Sequence, residues 1–251
     1  MGAMDATTLH VIVVIFIATL IRSTLGFGEA LVAVPLLALR IPVAVAAPLA
    51  VLVSVMVAGV IVVQDWRKIE IRSAAWLVVS SLLGIPLGLI LLTRVNDHAV
   101  KLILGVVIVG FSVYSLRFRT SLRLEKDRLT WMLAVGFVSG ILGGAYGMNG
   151  PPLAIYGSTR GWSPQHFRAT LQGYFLPASL MGLIGYAAMG LWAPAVTRYF
   201  LLALPGAVAA IVIGRAMNHR LRGDGFFRYV YGGLIVIGGV LIGQAFLGSA
   251  V

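Results

Sequence analysis

Cysteine is absent from the chain, which excludes disulfide bonds, thiolate nucleophiles and cysteine-ligated metals. Charge is scarce as well: 11% of the 251 residues are Asp, Glu, Lys or Arg, where a soluble domain carries about a quarter. Acidic groups are the rarest, eight against 19 Lys and Arg. The four histidines (His10, His98, His166 and His219) fall near the ends of apolar runs, and none pairs with an acid at metal-ligand spacing. No metal and no cofactor are expected. A Gly-x-Ser-x-Gly nucleophile turn is missing too, and together these gaps argue against an intramembrane enzyme.

What fills the chain is hydrocarbon. Hydrophobic residues make up 60% of it, and the mean hydropathy is +1.00. So few polar groups cannot cover a water-facing surface, so lipid must be the main solvent. The fold class expected is an all-α polytopic membrane protein in a cell membrane of the bacterial inner-membrane kind. The longest polar stretch, Arg117 to Arg128, is too short to bury a core of its own. The first apolar run, from about Thr7, has no small-residue cleavage site and reads as a membrane segment rather than a signal peptide. The net charge of +11 sits in short loops. There it is a topology signal and not a nucleic-acid footprint.

Apolar runs fall at about 7–25, 28–40, 43–63, 72–93 and 97–116, then at about 129–147, 150–160, 164–189, 193–214 and 226–247. Most approach the roughly 20 residues that span a bilayer as helix. The runs at about 28–40 and 150–160 are short, and each follows a glycine-rich break. A shift of 121 residues lays Phe16 on Phe137, Gly26 on Gly147 and Gly28 on Asn149. Further on, Pro86 meets Pro205 at a shift of 119, and Lys101 meets Arg228 at 127. The chain therefore divides into a first transmembrane repeat (1–116), a basic cytoplasmic linker (117–128) and a second repeat (129–251), forming one membrane domain.

Five segments per repeat is an odd number, so the second repeat is expected to be inverted. If every segment reverses the chain, the Lys and Arg outside Arg22 divide 14 against 4 between the two faces. If the two short segments do not reverse it, the division is 9 against 9. The positive-inside bias selects the first scheme, with both termini on the non-cytoplasmic side. Two segments forming a hairpin that only dips into the membrane give the same parity.

Broken helices at matched positions of inverted halves point to a transporter's substrate site. The first break is Arg22-Ser23-Thr24-Leu25-Gly26-Phe27-Gly28-Glu29, and the second runs from Gly143 through Gly147-Met148-Asn149-Gly150-Pro151-Pro152. Each short helix should turn unpaired amides and the positive end of its dipole toward its break, which suits an anion. The competing reading is that the glycines only let helices turn or pack. Arg22 lies four residues before Gly26 on the same helical face; it either binds the anion or snorkels to the interface. Arg168 and Gln172 share a face of one long helix and form a donor pair if they point inward; otherwise Arg168 is an interfacial charge. Tyr156 and Arg160 repeat that spacing, with Arg160 read as a loop charge. Glu29 adjoins a break and enters an apolar run. Such a carboxyl either couples transport to protons or caps its helix as a neutral acid.

Several of these segments resemble the sulfite exporter TauE/SafE family of membrane transporters. The likeness is carried by Gly26-Phe27-Gly28 with Val34-Pro35-Leu36-Leu37, and by Gly147-Met148-Asn149-Gly150-Pro151-Pro152 with Tyr156. Arg160-Gly161-Trp162 leading into Phe167-Arg168-Ala169-Thr170, and Pro205-Gly206 leading into Gly214-Arg215, extend it over nearly the whole chain. The resemblance implies movement of small sulfur-containing anions such as sulfite or sulfonates. Glu29 and Asn149 stand where family members often have glycine, and a carboxylate beside an anion fits only when protonated. The expected substrate-binding residues are Arg22, Gly26, Phe27, Gly28, Gly147, Asn149, Gly150, Pro151, Tyr156, Arg168 and Gln172. The expected function is secondary transport of a small anion by alternating access, in a monomer or homodimer; the alternative is a passive anion channel of the same fold.

Overall fold

A computed structural model describes residues 5–117, 129–159, 164–218 and 224–247. Among them all regular structure is helical, in ten α-helices. The first five are α1 (Ala6–Leu25), α2 (Glu29–Ala38), α3 (Val43–Asp65), α4 (Ile71–Arg94) and α5 (Asp97–Arg117). The others are α6 (Leu129–Tyr146), α7 (Gly150–Thr159), α8 (Pro164–Ala188), α9 (Pro194–Asn218) and α10 (Asp224–Leu247). A single 3₁₀ turn, Trp66–Lys68, links α3 to α4. Helices α1, α3, α4, α5, α6 and α9 contain stretches long and apolar enough to cross a bilayer. This is a multi-pass membrane protein. α2 and α7 are ten residues each, about 15 Å at 1.5 Å per residue, roughly half of a 30 Å hydrocarbon core.

Burial follows the membrane pattern, with large apolar side chains on the outside as well as within. Leu83 and Leu87 on α4, Ile184 on α8 and Val212 on α9 are exposed, as suits lipid contact. The centre is formed by the short α2 together with α3, where Ala33, Val34, Leu37, Ala46, Leu49 and Ala50 are fully buried.

Helices of the first half pair mainly with helices of the second. α4 packs on α6, α1 on α9, α5 on α10 and α3 on α8. Exchanging α1–α5 with α6–α10 in order turns α1–α9 into α6–α4 and returns the α3–α8 and α5–α10 pairs to themselves. Glycine lines these seams. A Cβ on Gly84 of α4 would lie 2.8 Å from the Ile141 nitrogen of α6 and closer still to the Phe137 carbonyl. Gly88 meets Ile141, Gly144 and Ala145 of α6 in the same way, and Gly214 of α9 meets Leu20 and Ser23 of α1. Backbone contact of this kind replaces side-chain interdigitation where lipid offers no hydrophobic drive for helices to associate.

Candidate functional site

Each break begins with the same local device. α1 ends at Gly26, which adopts the left-handed conformation (φ 88°) and donates its amide to the Arg22 carbonyl at 2.6 Å. α6 ends at Gly147 (φ 66°), whose amide bonds the Gly143 carbonyl at 2.8 Å while that of Met148 bonds Leu142 at 3.1 Å. Both are αL stops, in which the glycine amide returns to the carbonyl four residues back, a conformation available at low cost only to glycine. The chain then restarts as a short helix, α2 after Gly28 (φ 95°) and α7 at Gly150, with Pro151 and Pro152 in its first turn.

Both breaks line one cavity. Its walls are Arg22, Phe27, Gly28 and Glu29 from the first break and Gly147, Asn149, Gly150 and Pro151 from the second. Ser54 of α3 and Phe175 and Ser179 of α8 close it. Ser54 lies about half way along α3, which puts the cavity deep in the span. The free volume is about 20 Å³, enough for one water. An anion of four heavy atoms would not fit this space without some rearrangement of its walls.

Arg22 organises the cavity. It is 3% exposed and therefore does not reach the interface, which removes the snorkelling alternative. Its Nη1 donates to Glu29 Oε2 and to Ser54 Oγ, both at 2.5 Å, and its Nη2 donates to Gln172 Oε1 at 2.8 Å. The guanidinium also lies 5.2 Å from the centroid of the Phe175 ring, within cation–π range. Its Nε has no hydrogen-bond partner. Glu29, 1% exposed, receives a second hydrogen bond from Thr19 Oγ1 at 3.0 Å. Among the described residues these are the only charged side chains in the fully buried set.

Several expectations change form here. The amide end of α2 does not simply await a ligand, because Glu29 in its first turn already places a carboxylate there. Gln172 acts as a brace: its Oε1 accepts from Arg22, and its Nε2 donates to the Gly26 carbonyl at 2.5 Å. Gly26 thus joins the cluster through its carbonyl and does not line the cavity. Tyr156 also stays out of the cavity. It is buried in a second apolar cluster with Leu153, Leu171 and Tyr174. Arg168 falls on α8, but its side chain lies outside the described residues, as does Arg160.

Sequence reading missed Thr19, Ser54, Phe175 and Ser179. A signal existed for two of them: the 121-residue shift that superposes the breaks also lays Ser54 on Phe175. The same shift sets Gly143 opposite Arg22 and Gly150 opposite Glu29. The charges therefore belong to one half only. In the other half the space that Arg22 takes is used by Asn149, whose amide a Cβ on Gly143 would strike. No group of three or more metal-ligating side chains occurs among the described residues.

A multi-pass helical bundle with a buried ion pair where two helix breaks meet has the build of a membrane carrier. Residues 11–242, nearly the whole chain, match the sulfite exporter TauE/SafE family, and the protein belongs to that family. Membership makes it a transporter-family protein and supports a role other than enzyme. Neither a curated protein nor a solved structure matches the chain.

Proposed function

We propose that this protein is a secondary transporter for a small sulfur oxyanion or organosulfonate, which binds between the two helix breaks on Arg22. The observation that carries the reading is one buried guanidinium at the meeting point of both breaks, with an unpartnered Nε. Planar N–H forks suit oxyanions. The amides opening α2 and α7 add partial positive charge from two sides. Gly28, Gly147, Asn149, Gly150 and Pro151 shape the wall, Phe27 closes it, and Gln172 holds Arg22 in place through Gly26. Arg168, one turn before Gln172, is assigned to the anion's approach from the cytoplasmic face on sequence grounds.

The exchange of helix partners between halves supports an inverted repeat, and the 14-to-4 charge division supports termini on the non-cytoplasmic side. A closed cavity of one water's volume supports alternating access over an open anion channel.

Thermal stabilisation of purified protein by a panel of sulfite, thiosulfate, sulfonates and carboxylates tests the assignment. Arg22→Lys keeps the charge and loses the fork. A charge-assisted hydrogen bond is worth about 1.5–3 kcal/mol, so anion affinity should fall roughly 10- to 100-fold. Wild-type affinity in this variant would remove Arg22 from the site.

A further inference from the structure

Resting on that reading, we infer that the anion enters this site together with one proton, which Glu29 accepts as the anion takes its place on Arg22. The first argument is charge balance. Among the described residues Arg22 and Glu29 are the only charged groups lining the cavity, and they cancel. Adding an anion leaves one net negative charge in a buried space, which costs several kcal/mol even after relaxation. One proton on the carboxylate restores neutrality.

The second argument is competition. Glu29 occupies what an oxyanion needs: the Nη1 donor of Arg22 and the positive end of α2. It acts as an internal stand-in for the ligand. Protonation weakens it as an acceptor and releases Nη1, while Ser54 and Gln172 keep the guanidinium in place. The neutral acid needs an acceptor for its new O–H. Thr19 Oγ1, 3.0 Å away, supplies one, because a hydroxyl that now donates to Glu29 can rotate and accept.

Among the described residues no other titratable group lines the cavity. From α1 the carboxylate meets Thr19 and Arg22, and the cavity it shares is closed by Ser54 of α3, Phe175 and Ser179 of α8 and Asn149 of the second break. His10 of α1 also faces α2, but at the Leu36 carbonyl, seven residues or about two turns from Glu29. α5 and α10 also pack on α2, and none of their described residues contributes a side chain to the cavity wall. The step breaks no covalent bond. The proton comes from the aqueous phase that supplies the anion and leaves with it, so the pair crosses without net charge.

The probe is methanesulfonate, whose charge does not change between about pH 5 and about pH 8. Its affinity for purified wild type should fall roughly tenfold per pH unit as pH rises above the Glu29 titration, the slope of a one-proton linkage. An indicator dye in weak buffer should register close to one proton taken up per anion bound. Glu29→Gln should bind with no pH slope and no uptake, and more tightly than wild type at the alkaline end. A flat wild-type profile without proton uptake overturns the inference using the unaltered protein alone, and so does a Glu29→Gln variant that keeps the slope. Failure of sulfite, thiosulfate and methanesulfonate to bind either protein at any pH would instead sink the anion reading itself.

Discussion

Removing both members of the Arg22–Glu29 pair should damage the protein less than the two single removals added together. Arg22→Met deletes the donors to Glu29, Ser54 and Gln172 and leaves a carboxylate 1% exposed with Thr19 as its one remaining hydrogen-bond partner among the described residues. Stranding a buried charge in this way costs about 3–5 kcal/mol. Glu29→Gln is milder, about 1.5–3 kcal/mol, the worth of a charge-assisted hydrogen bond, because the carboxamide still accepts from Arg22. In the double variant neither charge is stranded, so its loss should fall short of the summed singles by about 2 kcal/mol or more. Reversible unfolding of the purified variants in mixed micelles, titrated with a denaturing detergent, gives the four free energies of the cycle. Losses that add to within about 0.5 kcal/mol would mean that the two groups do not interact, and the site as described would be wrong.

Two further tests address the fold. Gly84→Ala drives a Cβ into the Phe137 carbonyl and should cost about 1–3 kcal/mol, while Gly232→Ala, with nothing within 4 Å of its new methyl, should leave the midpoint of the same titration unchanged or slightly raised. Since the chain has no cysteine, single cysteines at Ala6 and Arg67 are unique labels in whole cells. An impermeant maleimide should modify the first and spare the second, and the reverse pattern refutes the proposed orientation.

The helices were legible because hydropathy, proline and glycine act locally. The two short helices were expected at about 28–40 and 150–160 and occur at Glu29–Ala38 and Gly150–Thr159. Both breaks turn on left-handed glycines at Gly26 and Gly147, the positions that the repeat had paired. The site was harder to read, because its contacts depend on how separate helices are rotated against each other. Arg168 and Gln172 share a face of α8, yet the partner of Gln172 came from α1, 150 residues away. Arg22 and Glu29 were weighed separately, although the intervening break folds them onto each other. Ser54 is a hydroxyl in the middle of a run that is otherwise almost wholly apolar, and that oddity was the available clue. Tyr156 was carried by its spacing to Arg160 and by motif likeness, neither of which says which way a ring faces.

The glycine seams also determine which parts of the molecule can move as units. Helices joined at backbone contact, α4 with α6 and α1 with α9, have little side-chain layer between them to shear at those seams, so each pair would be expected to move as one piece. Both pairs take one helix from each sequence repeat. Under the proposed alternating access, the bodies that rock would then be chimeras of the two halves, and the duplicated unit of sequence would not be the unit of motion.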